Sequence, residues 1–219
     1  MEKGIVKARS GEVLAVKREK LFEGGNYFEG FMLKDYSKIS ELENNIRSNQ
    51  EYFQEWELEN RPEYKQIVTY CILFDGDSKK VFSYIRGGKE PRLKDKLSIG
   101  IGGHIHRLET KGDIIRSNIM RKVEQEVGVG IRVVKLEQLG YINCEDIPVD
   151  KDHFALLFLK EVWGERDIKV KSSDLLEGKF RSQYEIEELM QKHEFEDWSR
   201  IAYDELKKRR LMEKDPAYE

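Results

Sequence analysis

The sequence predicts an α/β protein in which a mixed β-sheet lies between layers of helix, with an N-terminal extension packed against it. Three observations carry that expectation. A β-rich stretch from Lys65 to Arg86 is followed by a Gly-rich strand pattern at Leu97 to Ile105; a helix with one apolar face comes next; and further strand patterns precede two closing helices. Strands on both sides of the first long helix, without regular strand-helix alternation, favour an α/β/α sandwich over a repeating barrel. The 219 residues suffice for one well-buried core, and no repeat or Pro- or Ser-rich linker divides them. One structural unit is therefore expected, with residues 1–62 as the extension and residues 63–219 as the main domain.

Within the extension, Val13 to Val16 fits a short strand, and Asp35 to Gln50 has helical spacing through Ile39, Leu42 and Ile46. Tyr52, Phe53 and Trp56 form an aromatic patch suited to packing the extension on the core. From Lys65 the run KQIVTYCILFD is apolar and β-branched, Gly76 and Asp77 supply a turn, and KKVFSYIR returns as the partner strand of a hairpin. A basic loop, RGGKEPRLKDK, leads into the strand LSIGIGGHI. In IIRSNIMRKVEQEV the apolar Ile115, Ile119, Met120, Val123 and Val127 share a helical face, and Gly128 ends the helix. Strands are expected at Arg132 to Ile142, His153 to Trp163 and Asp167 to Val170. Helices are expected at Gln183 to His193 and Glu196 to Met212. In the last of these, Trp198, Ile201, Ala202 and Leu206 recur at helical spacing, as a core face or a dimer seam would require.

Composition narrows the function classes. Lys and Arg number 39 against 42 Asp and Glu, a formal net charge of -3, so no overall field gathers nucleic acid or anionic lipid. No apolar stretch approaches the roughly 20 residues of a bilayer crossing. The charged N-terminus MEKGIVKARSGEV lacks a secretory apolar core, and a cytoplasmic location is expected. Cys71 and Cys144 lie far apart and outside any CxxC or Cys/His cluster, which argues against a disulfide framework or a zinc site. Both read as buried small hydrophobes.

The chemistry concentrates between Gly102 and Val129. A Gly-Gly strand end, a loop and a helix bearing carboxylates at i, i+3, i+4 spacing is a layout that gathers hard oxygen ligands for magnesium over a diphosphate. Asp113, a seven-residue gap, and then Arg121, Lys122, Val123, Glu124, Gln125, Glu126, Val127, Gly128 and Val129 match, without a gap, the second half of the signature G-x5-E-x7-R-E-U-x-E-E-x-G-U, where U is aliphatic. On these residues the chain resembles the Nudix superfamily, the MutT-like pyrophosphohydrolases. Gly103 matches the leading glycine, but nine residues rather than five separate it from Asp113; Glu109 would satisfy the shorter spacing. Asp113 keeps the spacing to the helix and can also cap its start. The stretches PEYKQIVTYCILF, YIRGGKEPRLKDKLSIGIGGHI and FEDWSRIAYDEL are further similar to a bacterial group of predicted MutT-like phosphoesterases.

The resemblance implies a metal-dependent hydrolase that directs water at a phosphoanhydride in a nucleoside diphosphate linked to another group. Mg2+ or Mn2+ is the implied cofactor, and Glu126, the Gly102 carbonyl and Gln125 stand at the implied metal positions. Lys122 and Gln125 replace two glutamates of the signature, leaving the site about three charge units more positive. A full magnesium cluster is then disfavoured, and turnover is expected to be weak or lost. The alternative is a non-catalytic nucleotide-binding or sensing domain.

Glu126, Arg121, Asp113 and Glu109 are the candidate catalytic group, with Arg121 expected to bridge to Asp113 or Glu109 and hold the loop. Arg86, Arg92, Lys122 and Gly103 are the candidate substrate contacts, the two arginines because planar forks suit phosphate oxygens. Glu145, Asp146, Asp150 and Asp152 are open candidates for an additional ligand. His104 and His106, two apart, point to one side of a strand and read as hydrogen-bonded neighbours rather than ligands. The expected partner is a small-molecule nucleotide or other diphosphate, with no nucleic acid or membrane, and a homodimer is a further expectation.

Overall fold

In the computed structural model the described residues are 11–34, 36–59, 61–88, 90–107, 112–128, 135–146, 150–164 and 168–213, the side chains of 36–40 excepted. Glu109 and the first residues of the strand expected from Arg132 lie outside them. The extension supplies β1 (Glu12–Lys17), α1 (Arg18–Leu21), β2 (Gly30–Leu33), α2 (Tyr36–Ser48), β3 (Glu51–Gln54) and α3 (Glu55–Leu58). The sheet continues through β4 (Tyr64–Asp75), β5 (Lys80–Arg86), β6 (Leu97–Ser98) and β7 (Gly100–His104) to α4 (Ile114–Val127). After α4 come β8 (Lys135–Asn143), β9 (His153–Val162), β10 (Leu175–Arg181), α5 (Gln183–Met190) and α6 (Asp197–Lys208).

The sheet runs β10-β5-β4-β9-β8-β2 and is mixed, since β4 and β9 are parallel across ten residue pairs while the other strand-to-strand ladders among the described residues are antiparallel. Along its other edge β4 pairs in turn with β1, β7 and β5. Alternation along β4 sorts the core into two layers. Ile67, Cys71 and Leu73 pack with Ile119, Val123 and Val127 of α4 and with Leu42 and Ile46 of α2. Val68, Tyr70, Ile72 and Phe74 pack with Trp198, Ala202 and Leu206 of α6. Each fully buried aliphatic side chain in these layers contributes about 1.5–3 kcal/mol relative to exposure. This is the expected α/β/α sandwich, and the α6 stripe is core. Cys71 and Cys144 are buried and free, and no helix among the described residues is long and apolar enough to cross a membrane.

Two local expectations are corrected. Residues 168–170 are not a strand. The backbone N–H groups of Lys169 and Lys171 instead donate to the Val127 and Glu126 carbonyls at 2.8 and 2.9 Å, satisfying the open C-terminal end of α4. Gly128, at φ +84°, permits this approach, because a Cβ there would lie 2.7 Å from the Lys169 carbonyl oxygen. The strand in this region is β10, whose alternation is broken by a register shift between Leu176 and Lys179. The aromatic patch also divides. Tyr52 and Phe53 lie in β3, with Phe53 edge-on to Tyr64 at 4.9 Å, whereas Trp56 is 69% exposed and packs nothing onto the core.

The extension is pinned through charge as well as strand pairing. Lys65 is fully buried; its ammonium donates to the Lys151 and His153 carbonyls and pairs with Glu145 at 2.8 Å, while Arg18 of α1 reaches the same carboxylate at 2.6 Å. Burial pulls the Lys65 pKa below its ordinary value. Burial works to raise that of Glu145, but the hydrogen bonds from Lys65 and Arg18 outweigh it and hold the carboxyl below 4.5. Glu145→Gln strands a buried ammonium and is expected to cost about 2–3 kcal/mol in urea unfolding. Because the folded-state pKa is depressed, the wild-type contribution is present above pH 4.5 and fades as pH falls below it; the Gln variant lacks that acid-side loss.

Candidate functional site

Helix α4 begins where Gly112, at φ +74°, turns the chain and the Asp113 side chain accepts the Arg116 N–H at 3.1 Å. Its sheet-facing side buries Asn118 among Ile119, Val123 and Val127. A buried amide on an apolar face needs partners, and Asn118 has three. Its Nδ2 donates to Thr69 Oγ1 of β4 at 3.0 Å and to the Gly103 carbonyl of β7 at 2.9 Å. Its Oδ1 accepts from Arg121 at 2.6 Å, and the same guanidinium donates to the His104 carbonyl at 3.2 Å and to Gln125 Oε1 at 3.0 Å. The bridge from Arg121 to Asp113 is thus replaced by a clamp between helix and strand, since Asp113 is occupied as the helix cap; Glu109 is outside the described residues. Asn118 is not marked by the motif; its one signal in the sequence is an amide three residues after Ile115 and next to Ile119 on an otherwise apolar face.

The glycines of β7 answer to side chains on opposite sides. A Cβ on Gly100 would lie 2.1 Å from the Tyr70 ring, and one on Gly103 would lie 2.5–2.6 Å from Cγ, Cδ and Cε of Lys122. The Lys122 stem therefore lies flat across Gly103, and its ammonium reaches Glu126 Oε1 at 3.4 Å, one helical turn on. This closes over a cavity of about 180 Å³ lined by Tyr84, Arg86, Gly102, Lys122, Glu126 and Asp174, together with Ile101 and Leu175. Two polar atoms of that lining, Arg86 Nε and Glu126 Oε2, are buried without a hydrogen-bond partner. Arg86 also donates to the Tyr84 hydroxyl at 3.2 Å and lies 3.9 Å from Asp174. Burial acts against its charge, but Tyr84, Glu196 and Asp174 outweigh that and hold the guanidinium above the ordinary arginine range.

Of the residues singled out by sequence, Arg86, Gly102, Lys122 and Glu126 line one cavity, and Gly103 lies beneath Lys122. Others do not. Gln125 is exposed and bonded to Arg121; Asp113 caps the far end of the helix; Arg92 is largely exposed and pairs with Glu90 at 2.8 Å. None of Glu145, Asp146, Asp150 or Asp152 lines it. Glu145 is held by Lys65 and Arg18, and Asp150, pushed up to about 7 by burial and by Glu196 and Asp197, belongs to the α6 side of the sheet. The carboxylate that does line it, Asp174, and the phenol of Tyr84 stand outside the motif, in segments where nothing in local pattern marked them. His104 stacks on His153 at 5.3 Å, and burial, then His106 and Lys122, push its imidazole down to about 4. It is neutral at neutral pH, so its 3.7 Å approach to Glu55 is not an ion pair there.

The residues present do not fit the multi-carboxylate metal arrangement that the resemblance implies. A hard divalent cation takes about six or more oxygens. The cavity offers Glu126, already paired with an ammonium, the Gly102 backbone, and Asp174 beside Arg86. Among the described residues no group of three or more His, Cys, Asp or Glu side chains could hold a metal ion. The cavity as folded instead sets two cationic side chains, Arg86 and Lys122, beside two carboxylates, Glu126 and Asp174, with one buried donor and one buried acceptor unsatisfied.

No family model matches the chain. Protein YmaB of Bacillus subtilis is 25% identical over 197 residues, covering 88% of this chain and 95% of that protein. Among solved structures, Tm1382, provisionally described as a Nudix hydrolase, aligns with a TM-score of 0.70 at 28% identity over 87% of this chain and 95% of its own. The NUDIX domain of Shewanella oneidensis NrtR, solved with ADP ribose, aligns with a TM-score of 0.51 at 14% identity over 66% of this chain and 88% of its own. The chain has the fold of the Nudix hydrolases.

The contact between Gly103 and Lys122 is testable by a double-mutant cycle. Gly103→Ala is expected to cost about 1–3 kcal/mol through overpacking. In a Lys122→Ala background the same change is expected to cost less than half as much, because the stem it collides with is gone. Equal costs in both backgrounds, read by chemical unfolding, would show that the two residues are not in contact.

Proposed function

We propose that this chain is a Nudix-type hydrolase of low turnover that takes a nucleoside diphosphate linked to another group into the cavity between β7 and α4. The observation that carries this reading is the pair of buried, unsatisfied atoms at that cavity, Arg86 Nε and Glu126 Oε2, beside the Lys122 ammonium. A phosphate oxygen satisfies the first and is further offset by Lys122, whose ammonium acts as a point charge where the signature has a carboxylate. A water molecule donating to Glu126 satisfies the second. Glu126 then takes a proton from that water as its oxygen bonds to phosphorus; the P–O bond of the anhydride breaks; and the charge on the departing phosphate is offset by Arg86 and Lys122. Similarity to Tm1382 and the Nudix fold support the reaction class. ADP ribose bound to a protein of this fold supports the substrate class.

A second reading, nucleotide binding without turnover, is favoured by one observation: the Lys122–Glu126 ion pair, which competes with water for the same carboxylate. One experiment separates the two. Purified protein is incubated with dinucleotides, nucleotide sugars and nucleoside triphosphates, with Mg2+, Mn2+ or a chelator, and both product release and binding are followed. Turnover that falls about 100-fold or more in Glu126→Gln, with binding retained, supports hydrolysis. Binding without turnover under every condition supports the second reading, and absence of both refutes the assignment of this cavity. Lys122→Glu is expected to raise affinity for Mg2+ or Mn2+ by calorimetry, since it restores a carboxylate one turn before Glu126.

A further inference from the structure

We infer a second ligand site, for a small phosphate monoester carrying an apolar or planar body, at the junction of α2 in the extension with the first turn of α4. Two depressions of about 260 Å³ each meet there and share Glu43, Arg47, Asp113 and Ile115 as common walls. One has an apolar floor of Leu14, Ile46, Ile114 and Ile115, with Tyr52 at its side and Gln50 beside the shared charged walls. The other is lined by three cations, Lys34, Arg47 and Arg116, none of which makes an ion pair with another described residue. Two carboxylates share these walls, so the three cations leave a net positive chamber and not a purely cationic one: Asp113 also caps α4 through the Arg116 N–H, and Glu43 accepts from the Tyr141 hydroxyl at 3.4 Å. Gln138, whose Nε2 is buried without a hydrogen-bond acceptor among the described residues, also lines that chamber.

A chamber with an apolar floor opening directly into one with three cations that pair with no described residue, and with a buried amide nitrogen, matches a ligand with the same division. Each half alone matches poorly, since exposed cations by themselves bind simple anions weakly in water. The amide dipoles at the start of the 14-residue α4 add to the attraction for a doubly charged head group. The site shares no lining residue with the Arg86 cavity, and the seven residues from Ile115 to Lys122 place the two about 10 Å apart along the helix. This gives the extension a chemical role in addition to a packing role: α2 provides the wall without which the chambers would be open surface.

The test uses phenyl phosphate, with inorganic phosphate and phenol as its two halves, titrated by calorimetry into the full chain and into an Arg86→Ala/Lys122→Ala chain whose other cavity has lost its cations. Phenyl phosphate is expected to bind both chains, at least tenfold more tightly than either half. Arg47→Ala with Arg116→Ala, two exposed positions at which retained folding is checked by circular dichroism, is expected to weaken that binding at least tenfold. Undiminished binding in the Arg47/Arg116 variant overturns the inference. So does binding lost only with Arg86 and Lys122, binding no tighter than that of inorganic phosphate, or no binding by the full chain. Because the Arg86→Ala/Lys122→Ala background is included, failure here is distinguishable from failure of the hydrolase reading.

Discussion

The structure hangs on one strand. All twelve residues of β4 are buried, and its two edges serve four other strands: β9 in parallel along one, then β1, β7 and β5 in succession along the other. A strand buried on both faces has to be apolar nearly throughout. The departures from that rule are the points where something is attached. Lys65 holds Glu145 of the β8–β9 connection, the carboxylate that Arg18 of the extension also reaches, Thr69 receives Asn118 of α4, and the Tyr70 hydroxyl reaches Glu196 and Ser199 at the start of α6, at 2.9 and 2.6 Å. These three polar groups on β4 therefore each fix a different layer against the same reference.

Through Thr69 that reference reaches the site. Asn118 holds α4 against β4 and β7 at once, which sets the height at which Lys122 crosses Gly103 and meets Glu126. With the helix clamped, the side chains that line the cavity have little latitude. The replacement of a signature glutamate by Lys122 then has a definite structural outcome, an ammonium lying on the remaining carboxylate instead of swinging away into solvent. The same clamp separates the two ends of the helix: the Arg86 cavity lies by its C-terminal half, and the paired chambers against α2 lie at its N-terminal turn.

The sequence carried the alternation of β4, the hairpin, the apolar face and cap of α4, and the paired glycine and arginine of the motif, because each depends on contacts within a few residues or on a period set by backbone geometry. Arg86, Gly102, Lys122 and Glu126 were legible as a group through the motif and the basic loop before it. Gln125 and Arg92 lie away from the cavity for a common reason: an exposed side chain finds the nearest partner, Arg121 in one case and Glu90 in the other, and motif position does not record that competition. The segment expected as a strand at Asp167 to Val170 is irregular over its described residues, and the N–H of Lys169 serves the end of a helix rather than a sheet, a choice invisible without knowing where Val127 lies.

The sequence by itself determined the layer order, the two buried faces of the sheet and the loss of acidic residues from the motif helix, since hydrophobic period and residue charge are local properties. Only the tertiary structure decided what the glycines of β7 are for, which carboxylate completes the cavity and what the extension builds. Those answers depend on side chains far apart in the chain: Tyr70 under Gly100, Lys122 over Gly103, Asp174 beside Arg86, and Arg47 of α2 facing Arg116 of α4. Such meetings are set by how the layers stack, which no stretch of sequence specifies alone.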